Sequence, residues 1–276
     1  MAFRLRSDVP AVARAVERLY ADYPLLAADQ FCDFELAVQR AAGLRRWLRP
    51  QVTAHYDGDP VFEPLPLGHA FPLTEWALNW CVTTHAFEHL SLHAAVVERG
   101  GRAVILPAPP GSGKSTLCAA LIHRGWRLLS DELTLVSLAD GRISPVVRPV
   151  SLKNRSIDIL SDFVPGAVFS EPTHDTVKGT VAHLRVPSEH VERMHETALP
   201  AWVVFPRWEA GAAATLTTLP KPDTVLELGR NSFNIQTLGA AGFQALADLV
   251  DRCDCHAFQY GNLDEAMAVF DRLAAS

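Results

Sequence analysis

The sequence predicts an α/β fold, with a mixed or parallel sheet at its centre and helices packed against it. Three observations lead to this prediction. An apolar strand pattern runs into a glycine-containing loop and then a helical pattern between residues 92 and 124. Several other short segments alternate with period two or are continuously apolar, as strands do, and amphipathic helical patterns end the chain. With 276 residues and 49% hydrophobic content, the chain can bury a sizeable core.

Residues 1–72 carry the pattern of a small α/β subdomain that packs on the rest of the chain. Asp8 is placed to cap a first helix, whose apolar stripe includes Val12 and Leu19. The dipeptide Asp57-Gly58 favours a hairpin turn. The predicted strands of this part are 31–40, 52–56 and 61–65.

Residues 73–276 form the second predicted unit, which contains the loop. A helix is predicted at 73–87, where Trp76 and Trp80 are interpreted as core residues. The glycine pair at 100–101 separates two strands, and Gly125 is expected to end the helix after the loop. The further predicted strands are 92–99, 102–107, 126–138, 146–154, 180–186 and 201–208, and the further helices are 114–124, 242–252 and 263–275.

The composition argues against several classes of protein. The net charge of -6 and the pI of about 6.0 lack the basic surplus of a nucleic-acid-binding protein. No stretch reaches the roughly 18 uninterrupted apolar residues of a membrane helix, and the N-terminus has no signal-peptide core. Five cysteines, an odd number, do not suggest a disulfide framework. We therefore expect a cytoplasmic protein with neither nucleic acid nor membrane as a partner.

The strongest motif in the chain is a phosphate-binding loop, Ala108–Thr116 (APPGSGKST), between an apolar strand and a helix. Gly111 and Gly113 let backbone N–H groups approach phosphate oxygens closely and adopt dihedral angles that side chains disfavour. The N-terminus of the following helix adds partial positive charge. Lys114 can reach the terminal phosphates of a nucleoside triphosphate, and Ser115 can ligate Mg²⁺.

The loop departs from the usual pattern at its front. The first glycine of such motifs is Ala108 here, and Pro109 and Pro110 remove two N–H donors. The phosphate cradle is therefore expected to consist of the amides from Gly111 to Thr116, that of Ser112 included.

A pair of carboxylates, Asp131 and Glu132, follows the loop helix on the next predicted strand. Phosphate-loop proteins place an acidic residue on such a strand, where it holds Mg²⁺ directly or through water. With two adjacent carboxylates, one can hold the metal while the other takes the proton from an attacking hydroxyl. Each carboxylate also raises the pKa of the other, which suits a base. The alternative is a solvated acidic pair at the end of a strand.

The segments LHAAVVERGGRAVILPAPPGSGKSTL and RGWRLLSDELTLV together resemble the catalytic domain of HPr serine kinase/phosphorylase. More closely, the chain is similar to the branch called HPr-kinase-related kinases, in the superfamily of ATP-dependent phosphoenolpyruvate carboxykinase. The resemblance covers about residues 73–272 and not the family's N-terminal sensory domain. It implies an HPr-kinase-like phosphate-loop fold, the use of ATP and Mg²⁺, and a homo-oligomer, since HPr kinases are oligomeric.

The resemblance also implies roles for matched residues. His93 matches the family histidine near the transferred phosphoryl group, although on chemistry alone a lone histidine is more often structural. Lys114 and Ser115 match the phosphate and Mg²⁺ residues. Asp131 and Glu132 match a pair of aspartates, of which Asp131 would be the general base for a serine hydroxyl. Ser115, Asp131 and Glu132 are thus the predicted metal ligands.

Three further basic residues are candidates for holding phosphate oxygens as charge develops during transfer. Arg148 and Lys153 lie in the segment RPVSLKN, where HPr kinases have a Glu/Arg segment that reaches metal and phosphates. Lys178 lies in the loop DTVKGTVAHL. The alternative is that all three are solvated surface residues.

Three functions remain open from the sequence. The first is an ATP- and Mg²⁺-dependent kinase that transfers the γ-phosphoryl group to a hydroxyl, with a serine of a protein or peptide as the leading acceptor. The second is a nucleotide-sensing module that docks a partner without transfer; exposed apolar patches and an acceptor groove too narrow for a side chain would favour it. The third is a small-molecule kinase, which a closed pocket with basic residues beside Asp131 would favour.

Overall fold

The computed structural model of the chain describes residues 1–275, with the backbone alone at Arg45 and Arg46. Its helices are α1 (Pro10–Leu19), α2 (Ala70–His85), α3 (Lys114–Ile122), α4 (Arg155–Phe163), α5 (Ser188–Glu192), α6 (Lys221–Arg230), α7 (Ile235–Arg252) and α8 (Leu263–Ala275). Its strands are β1 (Phe3–Ser7), β2 (Phe34–Arg40), β3 (Gln51–Tyr56), β4 (Asp59–Pro60), β5 (Leu65–Pro66), β6 (His89–Arg99), β7 (Arg102–Pro107), β8 (Arg127–Ser130), β9 (Leu133–Ser137), β10 (Ile143–Ser144), β11 (Val150–Lys153), β12 (Thr173–Thr176), β13 (Gly179–Leu184), β14 (Leu199–Trp208), β15 (Thr215–Thr218) and β16 (Asp254–Tyr260). The predicted α/β class is confirmed.

The central sheet contains eight of the described strands, in the order β10-β9-β6-β7-β14-β16-β15, with β8 paired to β6. Strands β7, β14 and β16 run parallel to one another, whereas β6 is antiparallel to β7. Helices α3, α4 and α8 bury their apolar side chains against one face of this sheet. Helices α6 and α7 cover the other face. The sheet is therefore mixed, with helices on both sides, and the loop after β7 opens at its carboxyl edge.

A second sheet is formed by the N-terminal strands. β1 pairs with β2 in parallel, and β3 pairs antiparallel with β2 and with both β4 and β5. The period-two prediction for β2 is confirmed, since Phe34, Leu36 and Val38 are buried while their neighbours are not. The hairpin turn is also confirmed, because Asp57 and Gly58 both have positive φ, at 49° and 93°.

Two predictions for the N-terminal part are wrong. The N-cap of α1 is Val9, with no side-chain cap, because the Asp8 carboxylate instead accepts a hydrogen bond from the Arg40 amide at 2.8 Å. The segment 61–65 is not one strand; pairing with β3 occurs on either side of it, in β4 and β5. Local propensity was overruled in both cases by pairing with a neighbouring strand.

Helix α2 connects the two sheets. It begins at Ala70, three residues before the predicted start, and so crosses the predicted boundary between the two units. Its apolar side chains share one buried cluster with α1, with β2 and β3, and with Leu133, Leu135 and Val146 from the second unit. The N-terminal elements therefore pack continuously against β9. Trp76 and Trp80, interpreted from the sequence as core residues, are both only partly buried, and Trp80 packs against this cluster.

A third, small sheet of the described chain has the order β11-β13-β12. Its turn between β12 and β13 carries Lys178, and Lys153 ends β11. The predicted strands 146–154 and 180–186 correspond to its shorter strands β11 and β13. The predicted strand 126–138 is divided: β8 ends at Ser130 and β9 begins at Leu133, so the acidic pair lies in the bend between two strands and not on one.

Three of the remaining helices agree with their predicted positions to different degrees, whereas α4, α5 and α6 were not predicted. α8 has the predicted bounds, and α3 ends two residues early, with Gly125 at φ 89° just beyond it. α7 begins at Ile235, and Gly239 interrupts its helical geometry before the predicted start at 242. Within residues 1–275, no helix is long and apolar enough to cross a membrane.

Candidate functional site

Strand β6 brings the candidate residues together at one edge of the central sheet. On one side of β6, Ala94 pairs with Pro107, the last residue of β7. On the other side, Val96 pairs with Ser130, the last residue of β8. The loop after β7 and the acidic pair after β8 therefore begin about two residues apart along β6, and His93 lies beside Ala94 and pairs with Leu133, the residue after Glu132.

The loop between β7 and α3 has the backbone geometry that its glycines were expected to allow. Gly111 and Gly113 have φ values of 87° and 89°, in the region that favours glycine. A Cβ atom on Gly113 would also lie 2.5 Å from the Tyr260 hydroxyl oxygen and 2.9 Å from the Trp208 Cβ. Only glycine fits at 113, whereas at 111 the requirement is for the dihedral angle alone.

The loop amides are not all directed alike. The Ser112 amide donates to the Pro109 carbonyl at 3.3 Å and closes a turn, so it does not join the expected cradle in this conformation. The amides of the first turn of α3, from Lys114 to Thr116, have no partner within the helix. They point beyond its N-terminus, where a helix attracts anions.

Lys114 and Asp131 are buried ionisable residues with polar atoms that the protein leaves unsatisfied. Lys114 is 8% exposed and Asp131 5% exposed. Among the described residues, neither Lys114 Nζ nor Asp131 Oδ1 has a hydrogen-bond partner. Asp131 Oδ2 accepts from the Ser151 amide at 3.1 Å. Buried polar groups are nearly always paired, and among the described side chains with such an unpaired atom Lys114 and Asp131 are the two that belong to the loop motif and the acidic pair.

The pKa values of the two carboxylates are shifted in opposite directions. Burial raises the pKa of Asp131 to about 6, with Lys114 opposing this effect and Glu132 adding to it. Burial also acts to raise the pKa of Glu132, but Lys114, Lys153 and Lys178 outweigh burial and lower it. The expectation that each carboxylate raises the pKa of its neighbour is therefore correct for Asp131 and wrong for Glu132, because the lysines favour the ionised form of Glu132.

Three lysines surround the acidic pair, and the chain has only four. Lys153 Nζ lies 4.0 Å from Glu132 Oε1. Lys178 Nζ lies over the ring of Trp76, 5.3 Å from its centre, and burial followed by repulsion from Lys153 lowers its pKa. Lys114 contributes to the titration of both carboxylates. This concentration of cations favours a polyanionic ligand.

His93 faces the same site. Its Nε2 lies 3.7 Å from Glu132 Oε2, and its ring centre lies 5.7 Å from that of Phe233. Burial, followed by repulsion from Lys114, lowers the pKa of His93 to about 4. The imidazole is therefore neutral at pH 7 and able to accept or donate a hydrogen bond.

Arg148 is oriented towards helix α2. Its Nη1 lies 3.2 Å from Glu75 Oε2, and its Nη2 donates to the Asn79 side chain. The Tyr20 hydroxyl donates to the other Glu75 oxygen at 2.6 Å. The predicted role of Arg148 in holding phosphate is therefore not reflected in its contacts, which tie the segment before β11 to α2.

Two cavities lie near the two ends of α3 and differ in size and in the residues that line them. One, of about 20 Å³, lies between Asp131, Arg148 and His183, and a space of this size holds about one water. The larger, an open cleft of about 570 Å³, lies at the other end of α3 and is lined by His123, Arg127 and their neighbours. The larger cleft contains none of the residues selected from the sequence.

Sequence reasoning missed three residues that shape the site. Ser151 contributes a backbone amide, which no side-chain motif reveals. The Trp208 amide donates to the Ser112 carbonyl at 2.8 Å, and the Tyr260 hydroxyl donates to the Gly113 carbonyl at 3.1 Å. Trp208 ends the predicted apolar strand 201–208, and the carboxyl ends of parallel strands meet at one edge of a sheet, which was the available signal for it. Tyr260 ends β16, which was not predicted as a strand.

Comparisons with known proteins give distant similarities only. The sequence model of a family described as SynChlorMet cassette protein ScmC matches residues 73–144, about a quarter of the chain. No curated protein gives a significant sequence match. Among solved structures, the Hpr(Ser) kinase/phosphatase from Coxiella burnetii matches at 12% sequence identity and a TM-score of 0.31, over 66% of this chain and 96% of that one. This structural similarity is too low to assign a function.

Proposed function

We propose that this chain is an ATP- and Mg²⁺-dependent phosphotransferase that moves the γ-phosphoryl group to a hydroxyl, with a serine of a protein or peptide as the acceptor. The proposal includes two units, with the boundary before Ala70 and not at residues 72/73 because α2 runs across that position, and the homo-oligomer that the resemblance implies. No nucleic acid or membrane partner is part of it. The acceptor itself is defined here only by its chemistry.

One observation carries the proposal. Lys114, the first residue of the helix after the glycine loop, and Asp131 are both buried, and each has one polar atom without a protein partner. The loop, the helix N-terminus and two more lysines lie around them. Three lysines face two carboxylates here, so the site gains favourable charge balance from a nucleoside triphosphate with its metal ion.

Different residues of this chain would have different roles in such a transfer. The first-turn amides of α3 and Lys114 would bind the β- and γ-phosphates. The acceptor oxygen forms a bond to the γ-phosphorus as the bond to the β–γ bridging oxygen breaks, and ADP leaves. Asp131 Oδ1 takes the hydroxyl proton, since its pKa of about 6 leaves it mostly ionised at pH 7.5. Lys153 and Lys178 stabilise the charge on the transferred group.

The donor set fits Mg²⁺. Ser115 and Glu132 would hold it, with Asp131 as a ligand only through the oxygen that does not take the proton, and when bound it would neutralise charge on the phosphates. In the described part of the chain, no group of three or more His, Cys, Asp or Glu side chains is placed to enclose a metal ion. Mg²⁺ is commonly bound by one or two carboxylates together with substrate phosphates and water, which this arrangement can provide.

The first experiment is a transfer assay with γ-labelled ATP, Mg²⁺ and lysate from the source cells. We expect wild-type protein to label a discrete acceptor and Asp131→Asn and Lys114→Ala to give no label. Lys221→Ala is the matched control, because Lys221 is the one lysine outside the site and its amine instead contacts Asp251. Nucleotide binding by wild type and Asp131→Asn without any labelled acceptor would contradict the transferase.

A nucleotide-sensing module is the second candidate, and one observation favours it. Asp131 is only 5% exposed, and the cavity beside it, about 20 Å³, admits a water and not a side chain. The same size argues against a small-molecule acceptor. If ATP binding changes the exposure of α2 or of the turn at Lys178 in hydrogen exchange, but no transfer occurs, the sensing function replaces the kinase.

A further inference from the structure

We propose that Trp208 is the residue on which the base of the bound nucleotide stacks. The inference rests on the proposed function, since it assumes a nucleotide in the loop between β7 and α3. It adds a residue that the phosphate motif does not include. Four features support it: the position of Trp208, its side of the sheet, its exposure, and the direction that the nucleotide must take.

Trp208 lies directly beside the phosphate loop. It is the last residue of β14, the parallel neighbour of β7, and its amide donates to the Ser112 carbonyl at 2.8 Å. A Cβ on Gly113 would lie 2.9 Å from the Trp208 Cβ. The indole therefore starts at the edge of the loop, and its backbone is fixed to that loop.

The ring lies on the side of the sheet where the helix after the loop packs. Side chains alternate along a strand, and Trp202 and Val204 of β14 belong to the core shared with α3. Trp208 lies on the same face of β14 as these residues, because it is an even number of positions away. It extends past the core, and 45% of its surface is exposed. Its register neighbour on β16 is Tyr260, which is buried and bonded to the Gly113 carbonyl.

The acidic pair defines where the nucleoside must lie. Asp131 and Glu132 follow β8, on the far side of β6 from β7, and Lys153 and Lys178 act on Glu132 from outside the loop. The γ-phosphoryl group has to be at that end for transfer. The triphosphate then leads the nucleoside across the loop in the opposite direction, towards the ends of β14 and β16. Trp208 is the exposed aromatic residue there.

A purine has a flat apolar face that an indole matches. Stacking of a base on an aromatic side chain contributes about 1–3 kcal/mol, which corresponds to roughly 5- to 150-fold in affinity. Stacking tolerates either purine, because each has a π-face. Trp208 should therefore strengthen ATP and GTP binding by similar factors and leave the binding of a bare phosphate chain unchanged.

The test compares Mg²⁺-ATP with Mg²⁺-tripolyphosphate, which has the phosphates but no base, by calorimetry on the full chain. We expect Trp208→Ala to weaken ATP binding at least 5-fold and to leave tripolyphosphate binding within 2-fold of wild type. Trp208→Phe should recover most of the ATP affinity, and Trp208→Leu, apolar but without a ring, should not. Trp47→Ala, at an exposed tryptophan in the N-terminal part, is the control.

The other outcomes separate the two proposals. If wild type binds both probes and Trp208→Ala keeps its preference for ATP, stacking on Trp208 is wrong and the phosphate site stands. If Trp208→Ala loses both probes equally, the residue supports the loop and does not stack on the base. If wild type binds neither probe, the proposed function fails, and the inference fails with it.

Discussion

Both ends of helix α3 lie near buried charged side chains, but only those near its C-terminal end are fully hydrogen-bonded. Near its C-terminal end, Arg127 is 4% exposed, and its Nε donates to Glu98 Oε2 at 2.5 Å. Two backbone carbonyls accept from its Nη1 at 3.0 Å each. At the N-terminal end, Lys114 Nζ and Asp131 Oδ1 are buried to a similar degree but have no partner in the described chain.

The difference shows which kind of buried charge marks a candidate binding site. A buried ion pair whose hydrogen bonds are all made contributes to the fold, and removing one partner leaves the other charge unsatisfied. A buried charge with an unpaired atom reduces stability until a ligand arrives, and such residues concentrate at functional sites. Substitutions near the C-terminal end of α3 should therefore lower stability, and substitutions at its N-terminal end should weaken nucleotide binding.

The largest effect is expected at Arg127. Arg127→Ala should lower the free energy of unfolding by about 3–5 kcal/mol, because it leaves the Glu98 carboxylate buried without its partner. Denaturant titration measures this loss. Nucleotide affinity of the folded fraction should stay within 2-fold of wild type.

A double variant checks the cause of that loss. Arg127→Met combined with Glu98→Leu removes both charges and keeps apolar volume, so it should recover most of the stability. If the double variant is as unstable as Arg127→Ala, packing and not the unpaired charge explains the effect. If Arg127→Ala also abolishes nucleotide binding, the two ends of α3 are not independent.

At the other end of the helix, Lys114→Ala should reverse this pattern. We expect ATP affinity and transfer to fall at least 100-fold, as when a phosphate-binding cation or transition-state donor is removed. The free energy of unfolding should change by less than in Arg127→Ala, since no hydrogen bond of Lys114 Nζ is lost and the change is confined to the loss of a cation beside the two carboxylates. Calorimetry and denaturant titration on the same preparation measure both quantities. A variant that binds ATP normally would remove Lys114 from the phosphate site.

The loop and its helix could be predicted from sequence because the motif is local. Gly111, Gly113 and Lys114 lie within four residues of the sequence, and the local conformation of each depends only on its immediate neighbours. The same holds for the hairpin turn at Asp57-Gly58, whose two positive φ values are intrinsic to that dipeptide. In each of these cases the sequence window contains the whole structural cause.

Features that depend on distant pairing could not be predicted in this way. Asp8 lost its capping role to an amide 32 residues away, and the split of one predicted strand into β8 and β9 follows from their separate pairing with β6. The orientation of Arg148 depends on Glu75, which lies 73 residues earlier. The direction of the Glu132 pKa shift depends on lysines that three different elements bring together. Such effects require the tertiary structure.

Ionisation of Asp131 should lower the free energy of unfolding. Its pKa is about 6 when folded against an ordinary value of 3.8, so between these values the folded state holds more protons than the unfolded state. Stability therefore falls as pH rises through this window, and the deficit is complete above about pH 6. Asp131→Asn should raise the free energy of unfolding by about 2–3 kcal/mol at pH 7.5 and leave it nearly unchanged at pH 4.

Thermal melts of wild type and Asp131→Asn across pH 4–8 measure this difference. Asp162→Asn, at an exposed carboxylate on α4, is a suitable control that should show no such trend. An equal effect at pH 4 and pH 7.5 would mean that the substitution acts through packing. A loss of stability at pH 7.5 would mean that Asp131 is paired more strongly than its contacts indicate.

The smallest effect is expected at the edge of the site. Lys178→Met keeps an unbranched side chain of similar length at this position but removes an exposed charge that lies over the Trp76 ring, so ATP affinity should fall about 3- to 10-fold, in line with roughly 1 kcal/mol for a screened ion pair. Raising the salt concentration should reduce the difference, whereas Lys221→Met should bind ATP like wild type at every salt concentration. A loss as large as that of Lys114→Ala would place Lys178 on the transferred phosphoryl group itself. No loss at low salt would make it a surface residue and leave the phosphates to Lys114 and Lys153.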